Sequence, residues 1–263
     1  MGLRAAPAAL AALALAAAGC GGSARPPTAE VFVLAGQSNM VGAGTPPGPS
    51  QKVPGASQVL PDGRLVPLRD RLRGTTGPLP KPLSGFKPGI GPAPSFVRTL
   101  QAGGHTAHII VAPCAVAGTA MAQWQPGGAL YDRCVRMTRR ALASSHGTLS
   151  GILFWQGEAD AATAAQAALW PGRFLSFAAG FRRDLRRPEA PLVFAVLGTN
   201  GEPQTLPGWE VVRQAQATIP LPPRAARIRV DGLPMEGGIH YTAAAQAVIG
   251  QRFAQAWENL AET

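Results

Sequence analysis

The chain has 263 residues, enough for one well-filled core, and a composition of 46% hydrophobic and 14% charged residues excludes a disordered chain. The formal net charge is +10. Its arginines are scattered and accompany neither a nucleic-acid motif nor interleaved aromatic residues, so no nucleic-acid partner is expected.

Residues 1–19 differ from the rest. Arg4 precedes an Ala/Leu run over residues 5–18 that is too short to span a membrane and has the form of a secretory signal. The small residues leading into Cys20 resemble a bacterial lipoprotein signal, which implies that Cys20 becomes the lipidated first residue of an exported chain. Ala17 stands where that pattern most often has leucine, and ordinary signal cleavage nearby is the alternative. Residues 20–29 then read as a flexible Gly/Ser/Pro tether. Residues 30–263 read as a single domain on the outer side of a bacterial membrane, or secreted. Export to an oxidising compartment permits a disulfide between Cys114 and Cys134. Two cysteines with no histidine beside them do not make a zinc site, and neither a metal nor a cofactor is expected.

The apolar run at residues 31–35 predicts a strand buried on both faces. It stops at Gly36, which permits a tight turn and puts Ser38 just past the strand's carboxyl end. That serine is either a nucleophile or the capping residue of a helix. Residues 42–83 are rich in Pro and Gly and read as a long surface excursion, either a lid or a decoration without substrate contact. A helix is expected from Pro94 or Ser95 to Gly103, then a second strand over 106–111 that delivers a loop containing Gly118. Another helix runs from about residue 128 to 144. A third strand over 151–155 presents Gln156, Glu158 and Asp160. Helical segments follow over 161–169 and from Pro171 through an apolar stripe of Phe174, Phe177, Phe181 and Leu185. The fourth strand is 192–197 and a helix covers 209–218. A fifth strand at 228–230 leads to Asp231, Glu236 and His240, before a last helix capped by Thr242. Strands alternating with crossover helices predict a three-layer α/β/α domain with a mostly parallel five-stranded sheet. In such a sheet the loops at one edge bring Ser38, Gly118, residues 156–160 and His240 together.

A serine hydroxyl is a poor nucleophile until a base takes its proton, and imidazole suits that task near neutral pH. His105 and His108 flank or enter a buried strand and His146 falls in a helix-to-strand turn, which leaves His240 as the base facing Ser38. A carboxylate that orients the imidazole is sought first in Glu158, with Asp160 and Glu236 as alternatives and Asp231 nearby. Oxyanion donors are expected from the backbone N–H groups of Ser38 and Gly118 and from the side chain of Gln156.

These residues carry a resemblance. GQSNMVG at residues 36–42, APCAVAGTAMAQW at 112–124, WQGEAD at 155–160 and EGGIHYT at 236–242 resemble the four blocks of the sialate O-acetylesterase-like carbohydrate esterases. That family is a branch of the SGNH hydrolases related to acetylxylan esterases. The resemblance implies a flavodoxin-like fold and hydrolysis of O-acetyl esters on sugars, with acetylated xylan-type saccharides or O-acetyl sialic acid as the substrate classes. It also implies Ser38 as nucleophile, His240 as base and an acetyl-enzyme intermediate. Gln37, Asn39, Met40, Trp124 and Trp155 are the candidates for contact with substrate. Two positions depart from the pattern. Gly237 stands where many members carry an aspartate three residues before the histidine, which shifts the search for the acid toward Glu158. Ala117 replaces the first of two glycines, while Gly118 keeps the second. The rival readings are a general short-chain or aryl esterase and a non-catalytic, lipid-tethered carbohydrate-binding protein.

Overall fold

The computed structural model describes residues 1–2, 29–73, 86–199 and 205–262 of the chain. The signal beyond residue 2, Cys20 and nearly all of the tether fall outside the described residues. β1 (Ala29–Gly36) is apolar at consecutive positions because both its faces are covered. Val31, Val33 and Ala35 enter one core, and Phe32 and Leu34 enter the other. β1 pairs in parallel with β4 (His108–Pro113) on one side and β5 (Thr148–Trp155) on the other. Beyond β5 the sheet continues in parallel through β6 (Leu192–Ala195) and β7 (Ala225–Ile228). α3 (Ala129–Ser145), α4 (Ala164–Ala168), α5 (Trp170–Asp184) and α6 (Trp209–Thr218) cover one face, where Tyr131, Phe174, Phe177 and Phe181 pack with Phe154 and Phe194. α2 (Ala93–Ala102) and α7 (Ala243–Ala261) cover the other through Phe96, Phe253 and Trp257.

The sheet has seven strands rather than the expected five. β2 (Lys52–Val59) and β3 (Leu65–Arg69) form an antiparallel hairpin, and the strand order is β3-β2-β4-β1-β5-β6-β7. Both strands lie within the segment read from sequence as a surface excursion. Their prolines disguised them. Pro67 sits on the edge strand, where its missing N–H costs no ladder bond on the open side. Pro54 sits where the β2–β3 register slips, and β2 meets β4 only through residues 56–58. The last strand of the sheet starts and ends earlier than expected, at Ala225–Ile228, because that stretch pairs with β6. Among the described residues no helix is long and apolar enough to cross a membrane.

From β1 the chain winds outward in two directions, toward β4 and toward β5. That is the switch point at which open α/β sheets form a crevice beyond the strands' carboxyl ends. Cys114, just past β4, is joined by a disulfide to Cys134 on α3. Closing a loop of 20 residues of separation is worth about 3 kcal/mol through the unfolded chain. Replacing both cysteines with alanine should lower stability by about that amount, read as an earlier midpoint in urea with a steeper slope, because the unfolded chain without the cross-link exposes more surface.

Candidate functional site

The turn after β1 is built by main-chain contacts. Gly36 has φ of 132°, and Gln37 N donates to Trp155 O at 2.9 Å. α1 (Ser38–Val41) begins at once, and its first helical bond runs from Val41 N to Gln37 O, so the N–H of Ser38 precedes the helical ladder. The capping position is Gln37, with no side-chain cap, so Ser38 is not the helix cap. Its hydroxyl instead lies 2.9 Å from His240 Nε2, across 202 residues of sequence. His240 arrives on β9 (His240–Tyr241), which pairs antiparallel with β8 (Met235–Glu236) in a two-stranded ribbon separate from the main sheet. Ser38 is buried and His240 partly so.

The four carboxylates considered for His240 go elsewhere. Glu158 Oε1 accepts from Asn39 Nδ2 at 2.8 Å, and Oε2 is buried with no hydrogen-bond partner among the described residues. Glu236 Oε1 accepts from Thr45 N at 2.6 Å. Asp160 accepts from Met121 N at 2.8 Å and from the Gln156 amide, with Arg173 3.8 Å away. Asp231 pairs with Arg213 and Arg229. None of these is hydrogen-bonded to the imidazole. The expectation that Glu158 orients His240 directly is therefore corrected: Asn39 stands between them.

Burial pushes the Glu158 carboxyl up to about 7 from 4.5, and the Asp160 charge adds to the rise while Asn39 opposes it. Between those values the folded protein holds a proton that the unfolded chain has released, so stability falls as pH rises through this window. The difference amounts to roughly 3 kcal/mol above pH 7. Glu158→Gln should remove this component, so that melting temperatures at pH 5 and pH 8 lie closer together in the variant than in the wild type.

Gln156 was expected to donate to an oxyanion, but its amide is taken up inside the fold. Nε2 donates to Thr119 O at 3.0 Å and to Asp160, with Gln37 Oε1 a third acceptor at 3.4 Å, and Oε1 accepts from Trp170 Nε1 at 2.9 Å. Both amide protons are used, which leaves none for substrate. Gly118 is placed differently. Its loop hooks onto the end of β1 through Ala115 N to Leu34 O and Val116 N to Gly36 O, at 2.9 and 3.0 Å, and Gly118 turns it with φ of 68°.

Met40, Trp124 and Trp155 are fully buried core residues and do not reach substrate in this arrangement. Trp124 Nε1 donates to Thr119 Oγ1, and Trp155 packs on Tyr241. Asn39, also expected at the substrate, is 1% exposed, and its amide is hydrogen-bonded to Glu158, Ile239 O and Tyr241 N. Gln37 is buried as well, its Oε1 accepting from Ala159 N at 3.2 Å. Sequence reasoning missed Phe86, whose half-buried ring lies 5.9 Å from the His240 ring. The only signal was a lone large aromatic in a Pro/Gly-rich stretch. Among the described residues no cluster of three or more His, Cys, Asp or Glu is arranged to hold a metal ion.

Residues 28–259 match the family described as carbohydrate esterase, sialic acid-specific acetylesterase. The chain is 26% identical over 254 residues to a probable carbohydrate esterase of Arabidopsis thaliana, At4g34215, covering 88% of this chain and 91% of that protein. The crystal structure of that plant protein superposes with a TM-score of 0.75 at 25% identity, over 89% of this chain and 99% of the other. The fold is also shared with NanS, with a TM-score of 0.69 at 20% identity over 91% of this chain and 99% of that one. A carbohydrate acetylesterase of Xanthomonas citri, XAC1771, shares it at 0.63 and 19% identity, over 88% of this chain and 56% of that one.

Proposed function

Because the chain belongs to the carbohydrate esterase family of sialic acid-specific acetylesterases, we propose that it removes O-acetyl groups from saccharides by a serine mechanism at Ser38. One observation carries the reading: the Ser38 hydroxyl and His240 Nε2 stand 2.9 Å apart at the carboxyl edge of the sheet. Ser38 Oγ attacks the acetyl carbonyl carbon while His240 Nε2 takes the hydroxyl proton. The resulting oxyanion is met by the backbone N–H groups of Ser38, at the open start of α1, and of Gly118. As the tetrahedral centre collapses, the C–O bond to the sugar breaks and His240 returns its proton to the departing oxygen. Water, deprotonated by the same imidazole, then attacks the acetyl-enzyme and releases acetate, restoring Ser38. Phe86 forms an apolar wall beside the imidazole.

The substrate class is an acetylated xylan-type saccharide or an O-acetyl sialic acid. Acetate release from a panel of defined acetylated saccharides tests this, with aryl acetates as the comparison. Hydrolysis of aryl acetates with no acetate released from any sugar would overturn the carbohydrate assignment. The reading includes export, with the domain held at the outer side of a membrane by lipid on Cys20. The Cys114–Cys134 disulfide supports an oxidising compartment. Metabolic labelling with a fatty acid should mark the wild type and not Cys20→Ala.

A further inference from the structure

We propose that Asn39 is a positioning residue for His240, its side-chain amide clamping the main chain on both sides of the histidine. The proposal rests on the reading that Ser38 and His240 are the reacting pair. Asn39 Nδ2 donates to Ile239 O at 3.0 Å, and Asn39 Oδ1 accepts from Tyr241 N at 3.3 Å. These are the two residues that flank His240. The second Nδ2 proton goes to Glu158 Oε1 at 2.8 Å. Ile239 O can only accept and Tyr241 N can only donate, so these two main-chain groups set which end of the amide faces Tyr241, and Glu158 Oε1 takes up the remaining amide proton. From the far side, Gln246 Nε2 on α7 donates to Asn39 O at 3.3 Å.

The ribbon that carries His240 needs such a clamp. β8 and β9 are two residues each and join no other strand, and an isolated two-stranded ribbon is marginal even when much longer. Ser38 and Asn39 are successive residues of α1, both buried. One residue therefore presents the nucleophile while the next holds the base, and the distance between the reacting atoms is set within one turn of chain. Cutting the clamp frees the main chain around His240, and a shift of about 1 Å at a reacting group costs on the order of 100-fold in rate.

A double-mutant cycle with p-nitrophenyl acetate tests this. Asn39→Ala should lower kcat about 100-fold with KM changed less than about threefold. On a His240→Ala background the same substitution should change the residual rate less than about twofold, because the group it acts through is gone. A folded Asn39→Ala protein with wild-type kcat, or an equal loss on both backgrounds, overturns the proposal. If Asn39→Ala does not fold, Asn39→Asp keeps the acceptor for Tyr241 N, and only its protonated form retains a donor. Its rate relative to wild type should then fall as pH rises through the new carboxyl's titration, and a ratio independent of pH overturns the proposal. Full turnover by His240→Ala would instead overturn the reading of the reacting pair, and this proposal with it.

Discussion

Ser38→Ala should lower acetyl-ester turnover by about 10⁴-fold or more, with little change in melting temperature. Alanine removes one oxygen from a buried position whose hydroxyl, among the described residues, is hydrogen-bonded to His240 alone, so the packing around α1 is kept. On the proposed serine mechanism, what disappears is the covalent route. Residual hydrolysis then depends on water attacking an ester held against the oxyanion donors, without the split into two easier steps. Adding His240→Ala to Ser38→Ala should cost little more, because a base without a nucleophile to deprotonate has lost its main task. Acetate release and a thermal melt on the same preparation check both statements. Wild-type turnover by a folded Ser38→Ala protein would sink the assignment of the nucleophile.

Gly36→Ala should destabilise the protein by more than about 4 kcal/mol, enough to remove much of a typical domain's stability. A Cβ at this position would lie 1.9 Å from Trp155 O and 2.6 Å from Trp155 C, both main-chain atoms of the neighbouring strand. Side chains can rotate away from a clash, whereas the strand cannot. The backbone angle adds to the cost, since φ of 132° is a region that residues with a Cβ avoid. Trp155 O also receives the Gln37 N–H that forms the turn, so relief of the clash pulls apart the segment that aims Ser38. The expected result is a melting temperature lower by roughly 10 °C or more, or failure to accumulate as soluble protein. A variant that melts within about 2 °C of wild type would show that the turn tolerates a side chain.

Four of the five strands read from apolar runs are present because each is buried between helix layers, and burial on both faces leaves a hydrophobic stretch in the chain, whereas the fifth, expected at 228–230, is the half-buried edge strand Ala225–Ile228. The β2–β3 hairpin was hidden because an edge hairpin is held by main-chain pairing and tolerates Pro54, Gly55 and Pro67. Ser38 and His240 could be placed at one edge from topology alone. The partner of Glu158 could not. Whether a carboxylate reaches an imidazole or an intervening amide depends on side-chain directions within a few ångströms, and a strand-and-loop reading carries no such information. The same limit applies to Trp124, whose neighbours Gln123 and Gln125 are polar but whose ring the fold turns inward, and to Trp155, which stands next to Gln156 at the end of its strand and is buried with it.

The span of 202 residues between Ser38 and His240 also bears on how activity appears during synthesis. The strand that leads to Ser38 leaves the ribosome early, whereas the ribbon carrying His240 and the helix that backs it come from the last part of the chain. Contacts so distant in sequence form late and slowly. Esterase turnover therefore reports on completion of the whole fold, and its recovery after dilution from urea should lag behind the return of helical signal.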